Sequence, residues 1–396
     1  MKAPMKPNIY TVPPGEGFLS CLARAIMKGD LPVTGGAKPD VLSLQDLTLL
    51  LPTRRAARAL QESFLTESGA RALLMPRIRP ISEGEEDLTL LSGLAGLTML
   101  GTGALDLPPA VSHLERTLTL MQLVQRWREA KSKSDPDGAG AASNTPAQAA
   151  ALAAELAALM DLIETENVSL SGLKSLVPNT FATHWQQTVQ FLEIVTASWP
   201  DHLKEKGFTS QAGRRNALLL AEAERITKLP PSTPVIIAGV TGSIPATVML
   251  IRAVAALPNG AIVLPALDLT LDEASWQSIG PDHPEHPQFG LKKLLDQLGV
   301  ARSDVKMLQG AAPSKRLAAR AALVSEAMRP SATTARWHHF AKSANRNEMK
   351  DALTGVSLIE APSAQDEAET IALILRDAIE VPGRTAALVS PDRLLA

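Results

Sequence analysis

Hydrophobic positions along this chain follow two rhythms. Short, continuously apolar runs end at turn residues and lead into helical patterns. They are Ile9–Val12 before Pro13, Leu47–Leu51 before Pro52, Val235–Val240 before Thr241, Ala261–Leu264 before Pro265, and Ala386–Val389. Runs that do not alternate with polar residues suit strands buried on both faces of a parallel sheet. Their alternation with helices predicts α/β architecture. A further strand is expected at Ala70–Met75, closed by Pro76.

The middle of the chain has the other rhythm. From Val111 to about Leu229 the periodicity is helical, with little strand signal. A helix is expected over His113–Ala130, with Leu114, Leu118, Met121 and Val124 on one face. Lys131–Pro146 has the Ser, Gly, Asp and Pro content of a linker. Ala147–Glu164 is a strong helix by alanine and leucine propensity, with Leu152, Leu156, Leu159 and Ile163 as its expected packing stripe. A second break falls over Gly310–Asp351, where Trp337 beside His338 and His339 suggests a partly buried aromatic edge. The residues after it predict strand, helix, strand. A two-stranded parallel sheet is not a stable domain by itself, so this part reads as a piece of something longer.

Composition narrows the function classes only a little. With 396 residues the chain has room for two or three cores. Apolar residues make up 45% and aromatics 3%, so those cores must be built from Leu, Ala, Val and Ile. A net charge of −2 gives no global sign of nucleic acid or membrane, and any anion-binding role must come from local patches. The single cysteine, Cys21, excludes an internal disulfide and argues against a structural zinc or iron–sulfur site in this chain. The absence of a long apolar run or signal-peptide pattern makes a cytoplasmic location the expectation.

Ligands of α/β sheets bind beyond the carboxyl ends of the strands, which singles out three loops. The first, Pro13-Pro14-Gly15-Glu16-Gly17, has the strand–glycine–helix layout of a phosphate-binding loop. It lacks the Gly-Lys-Ser/Thr that would reach the phosphates and Mg²⁺, and Glu16 puts negative charge where an anion would sit. The plainer reading is a turn closing a strand.

In the second loop, Thr53 can cap a helix whose first turns carry Arg54, Arg55 and Arg58. Cations there oppose the helix macrodipole, at roughly 0.3–1 kcal/mol each when exposed, and a bound phosphate would reverse that penalty. From Pro52 to Pro80, six arginines face two glutamates. The plainer reading is a solvated basic face, neutralised by Ser82–Leu88 just downstream.

The third loop, Gly239-Val240-Thr241-Gly242-Ser243, stands where an NTPase needs an Mg²⁺-holding Asp, and no carboxylate is present. Thr241 or Ser243 could cap the helix that Pro245 begins. Elsewhere, Asp282, His283, Glu285 and His286 invite a metal-site reading. The intervening prolines argue instead for a surface turn. No catalytic constellation can be assembled from spacing.

The stretches IYTVPPGEGFLSCLARAI, LLLPTRRAARALQESFL, ALLMPRIRPISEGEEDL, VIIAGVTGSIPATVMLIRAVAALPNGAIVLPALD, HPQFGLKKLLDQLGV and AALVSPDRLLA lie in order along nearly the whole chain. Together they resemble the N-terminal part of the AddB family, subunits of bacterial AddAB helicase–nucleases that process DNA ends in double-strand break repair by homologous recombination.

The resemblance implies a superfamily 1 helicase-like α/β lobe whose ATP motifs have decayed. Residues 1–110 and 231–310 would form the two parts of that lobe, 111–230 a helical insertion, and 311–396 a linker with the truncated start of a second lobe. Pro13, Pro14, Gly15 and Gly17 would be a degenerate nucleotide loop. Thr53, Arg54, Arg55 and Arg58, with Thr241 and Ser243, would contact DNA.

The partners it implies are DNA and an AddA-type motor subunit, with which the family helps recognise Chi. The family's iron–sulfur cluster and Mg²⁺ belong to a nuclease region that this chain lacks, so no cofactor is expected here. The alternatives are an active P-loop ATPase with unusual motifs, or an unrelated α/β enzyme binding a nucleotide through Gly15 and Gly17.

Overall fold

The computed structural model describes residues 6–31, 42–69, 72–81, 107–134, 145–168, 192 and 198–392. Six strands form one all-parallel sheet: β1 Ile9–Val12, β2 Thr48–Leu51, β3 Arg77–Pro80, β4 Val235–Ala238, β5 Gly260–Pro265 and β6 Lys306–Met307. Their order is β3-β2-β4-β5-β1-β6, with Ile9 opposite Ile262, Thr48 opposite Val235 and Ile237 opposite Ile262. The continuous apolar runs are explained by burial on two sides. Ile9, Leu50, Ile237 and Ile262 face one core, while Val12, Leu49, Ile236 and Val263 face the other. Each such side chain contributes about 1.5–3 kcal/mol on burial.

Helices cover both faces. On one lie α1 (Phe18–Lys28) and α2 (Arg54–Glu67), which bury Leu22, Ile26, Leu60 and Phe64. The bidentate pair from Arg24 Nε and Nη2 to Glu67, at 3.1 and 2.7 Å, ties these two helices together. The middle of the chain gives α3 (His113–Ser134), α4 (Pro146–Thr165) and α5 (Gln211–Lys228). Here α5 joins two cores. Its Leu218, Leu219 and Ile226 pack with α6 (Pro245–Ala255) in the sheet's other core, and its amino end meets α4, where Asn216 donates to Glu164 O. Helices α3 and α4 share a separate core with Trp199 and Leu203.

Several expectations are corrected. The edge strand is Arg77–Pro80, not Ala70–Met75, because Pro76 has no N–H for the ladder and pairing begins with Arg77 N donating to Leu47 O. Leu73 and Met75 pack instead beside the core under α1 and α2. The first four residues of the expected linker, 131–134, continue α3, and positions 135–144 lie outside the described residues, as do Ser82–Leu88. In α3 the buried positions are Arg116, Leu120 and Val124, whereas Leu114 and Leu118 are exposed. In α4 they are Ala149, Ala153, Leu156 and Met160. Small alanines let these helices approach closely, so they lie at the contact while Leu159 turns outward.

After β5 come α7 (Glu273–Ser278), α8 (Phe289–Leu298), α9 (Lys315–Ala327) and α10 (Trp337–Ser343). Trp337 is exposed, with its indole N–H donating to Glu326 O, as are His338 and His339, so no partly buried edge forms there. These elements belong to a compact unit spanning Met1–Ser343.

A second unit, Ala344–Ala396, contains α11 (Arg346–Leu353) and α12 (Ala364–Ile379). Neither of its expected strands forms: Leu358 is 88% exposed and Val389 93%. A strand needs a neighbour to receive its backbone hydrogen bonds, and among the described residues of this unit neither segment has one.

Candidate functional site

Because all six strands are parallel, the loops after β1, β2, β4 and β5 emerge at the same edge of the sheet. Three of them meet at Gly239, the residue that follows β4. Its φ of +73° suits glycine. A methyl group placed on it would lie 3.3 Å from Cε1 of Phe18 and 3.5 Å from Cδ of Pro52. Phe18 begins α1 and Pro52 follows β2, so this one close approach joins the first, second and third loops. Only the tertiary contact shows why position 239 must be so small; the run Gly-Val-Thr-Gly-Ser indicated just a turn.

The second loop is built as the sequence predicts. Thr53 is extended (φ −139°, ψ 158°), and its hydroxyl oxygen accepts from Ala56 N at 3.1 Å. The first turn of α2 holds no acidic residue, and Arg54, Arg55 and Arg58 are all exposed. Ala57, Leu60 and Phe64 form the buried stripe, which places the three arginines together on the outward side of the helix. Among the described residues neither Arg55 nor Arg58 has an ion-pair partner. The outcome is a neutral hydroxyl cap followed by concentrated positive charge, at the helix end where the backbone already carries partial positive charge.

The first loop is partly covered by α9. Gly15, at φ +90°, lies under Leu317 of α9, whose Cδ2 would stand 3.0 Å from an added methyl. The loop after β5 folds across the end of β1: Ala266 N donates to Val12 O, and Leu267 N to the hydroxyl of Thr11. Pro13, Pro14 and Gly17 flank this closed turn, and Gly17 starts α1 without any side-chain cap. Cys21, one turn into α1, is buried, and burial raises its thiol above the usual range.

In the third loop Thr241 and Ser243 are exposed, yet neither caps α6. The N-cap is Ile244, with no side-chain hydrogen bond, and Pro245 occupies the first turn as expected. The capping expectation fails because Gly242, at φ +66°, is drawn against Leu294 of α8, and the chain then enters the helix one residue later than Ser243.

Two polar groups near this edge had no distinguishing pattern in the sequence. Asp268, after β5, is pushed up by burial. Hydrogen bonds from Ser325, Thr270 and the amides of Thr270 and Leu271 outweigh that and lower it overall. Gln288 clasps the same loop, donating to Ala266 O at 3.0 Å and accepting from Asp268 N at 2.9 Å. It supports Ala266, which holds the left-handed φ of +48° that only glycine adopts easily. His283 and Glu285 lie 3.5 Å apart in a turn, and His286 is spent on Met328 O and Gln288 N. Among the described residues no three His, Cys, Asp or Glu side chains converge on a metal-sized site. Compared with protein-family models and with curated proteins, the chain matches none of them.

Proposed function

We propose that this chain is a non-catalytic, helicase-like module that guides DNA and scaffolds a larger end-processing machine of the AddAB type. The observation that carries this reading is the start of α2. A Thr53-capped helix amino terminus presents Arg54, Arg55 and Arg58 outward, at the sheet edge where α/β proteins bind ligands. The macrodipole and the exposed guanidinium groups, those of Arg55 and Arg58 foremost, favour the same guest, a phosphate group. Such contacts hold a strand in register and read no bases. Thr241 and Ser243, exposed on the neighbouring loop, supply further hydroxyls for the backbone.

Two features speak for a silent nucleotide site. The first loop has no Lys-Ser/Thr, and its glycine is packed under Leu317. In this reading the motor and the nuclease chemistry belong to other parts of the complex, an AddA-type subunit among them, and the present chain contributes binding and position.

The test is fluorescence anisotropy with labelled single-stranded DNA at several salt concentrations. Arg54→Ala/Arg55→Ala is expected to weaken binding and to flatten the log–log salt slope by about 1.4, roughly 0.7 for each phosphate that is no longer neutralised. Tight binding by the folded double variant with an unchanged slope would remove α2 from the interface. No binding by the folded wild type would leave partner docking as the role of this region.

A further inference from the structure

Beside the closed first loop lies a cavity of about 460 Å³. Its floor is Pro13, Pro14, Gly15 and Leu267, and α9 roofs it with Leu317, Ala321 and Val324. Its rim stays apolar yet wet, for Leu269, Met307, Val324 and Met328 are all more than a third exposed.

Helix α9 is fastened near both ends, so the space beneath it is pre-formed. Near its start Leu317 rests on Gly15. Just past its end Arg329 pairs with both Asp272 and Glu326, and Met328 O accepts from His286 Nε2 at 2.8 Å. Hydrogen bonds from Arg329 and Ser275 overcome the effect of burial on Asp272 and hold its carboxyl well below the usual range, so this clasp stays ionised across the neutral range.

The polar side chains around the cavity are already engaged. Thr11 donates to Leu264 O and accepts from Leu267 N. Gln288 and His286 use both ends on backbone groups. Asp268 accepts from Thr270, Leu271 and Ser325, and Arg320 likewise has a partner. Arg320 and Asp268 also offset each other in formal charge. An ionic or strongly hydrogen-bonding guest would lose its water shell here and gain little in return. An uncharged apolar guest loses nothing and covers the wet rim.

We infer that this cavity is a binding site for a small, uncharged apolar molecule, seated beside the degenerate nucleotide loop. Its size falls within the ~300–1,000 Å³ typical of small-ligand sites, and its mixture of rigid prolines and adaptable methionines suits shape-based recognition. This inference stands independently of DNA binding by α2.

The full chain is titrated with the uncharged fluorophore N-phenyl-1-naphthylamine. Saturable uptake is expected, unchanged by excess ATP. It should weaken about tenfold or more in Ala321→Trp, which fills the cavity, and in Val324→Asp, which charges an exposed rim position. Leu373→Asp, on an exposed face of α12, should leave it unaltered.

Circular dichroism confirms that each variant is folded, and Val324→Asp keeps the test informative should Ala321→Trp misfold. Absence of saturable uptake, or uptake lost in Leu373→Asp but kept in Val324→Asp, would overturn the site. Displacement of the probe by ATP would overturn the ligand class.

Discussion

Glu164 shows how much a single side chain can depend on its surroundings. It lies near the end of α4, in an ordinary helical stretch, but its carboxylate accepts from the Ser210 hydroxyl that caps α5. Burial raises this carboxyl above the usual range, and the hydrogen bond from Ser210 only partly opposes the shift. A raised carboxyl binds its proton more tightly folded than unfolded, so it contributes stability at acid pH that is lost as pH rises through its folded value. Glu164→Gln keeps an acceptor for Ser210 but has no proton to lose. Urea unfolding of wild type and Glu164→Gln at about pH 4 and about pH 7 checks this, with the variant expected to gain relative stability on going to the higher pH. A constant difference would show that the carboxyl titrates alike in both states.

At the scale of the element, α2 combines a favourable cap with an unfavourable charge pattern. A hydroxyl at the N-cap contributes about 1 kcal/mol, while each exposed arginine in the first turns costs roughly 0.3–1 kcal/mol against the macrodipole. Replacing Arg55 and Arg58 by alanine is therefore expected to leave the melting temperature unchanged or slightly raised. A basic face kept only for folding would show a drop instead. The cap and the basic turn are both local, which is why they were legible from Pro52 to Arg58 alone. The packing stripes of α3 and α4 were not. Leu114 and Leu159 have the right spacing for a core face, but the partner helix chose Arg116, Ala149 and Ala153, where an ion pair to Asp161 and small side chains allow close contact.

For the whole molecule, the strand order puts β5 between β1 and β4, so the first and third loops leave strands that are not neighbours in the sheet. The first loop has no lysine to reach a phosphate and has Leu317 over Gly15, and the third has no carboxylate after β4, so these two loops do not supply the groups that hold ATP–Mg²⁺. Thermal unfolding in excess ATP–Mg²⁺ is expected to match unfolding without it, since only a ligand that prefers the folded state raises the transition. A rise of several degrees would show that the folded chain binds ATP–Mg²⁺ after all.

Properties read over a few neighbouring residues were settled by the sequence itself: four of the buried strands, the Thr53 cap, Pro245 at the start of α6, and the absence of a Gly-Lys-Ser/Thr after Gly15. Each depends on covalent geometry or on the local rhythm of apolar positions. Tertiary structure alone decided that the edge strand begins after Pro76, that Gly239 joins three loops, that Leu317 closes the first of them, and that Leu358 and Val389 remain outside any sheet. These outcomes depend on which distant surface arrives to cover a segment or leave it bare. A strand without a neighbour has no ladder to join, and a glycine shows its purpose only once another chain segment lies against it.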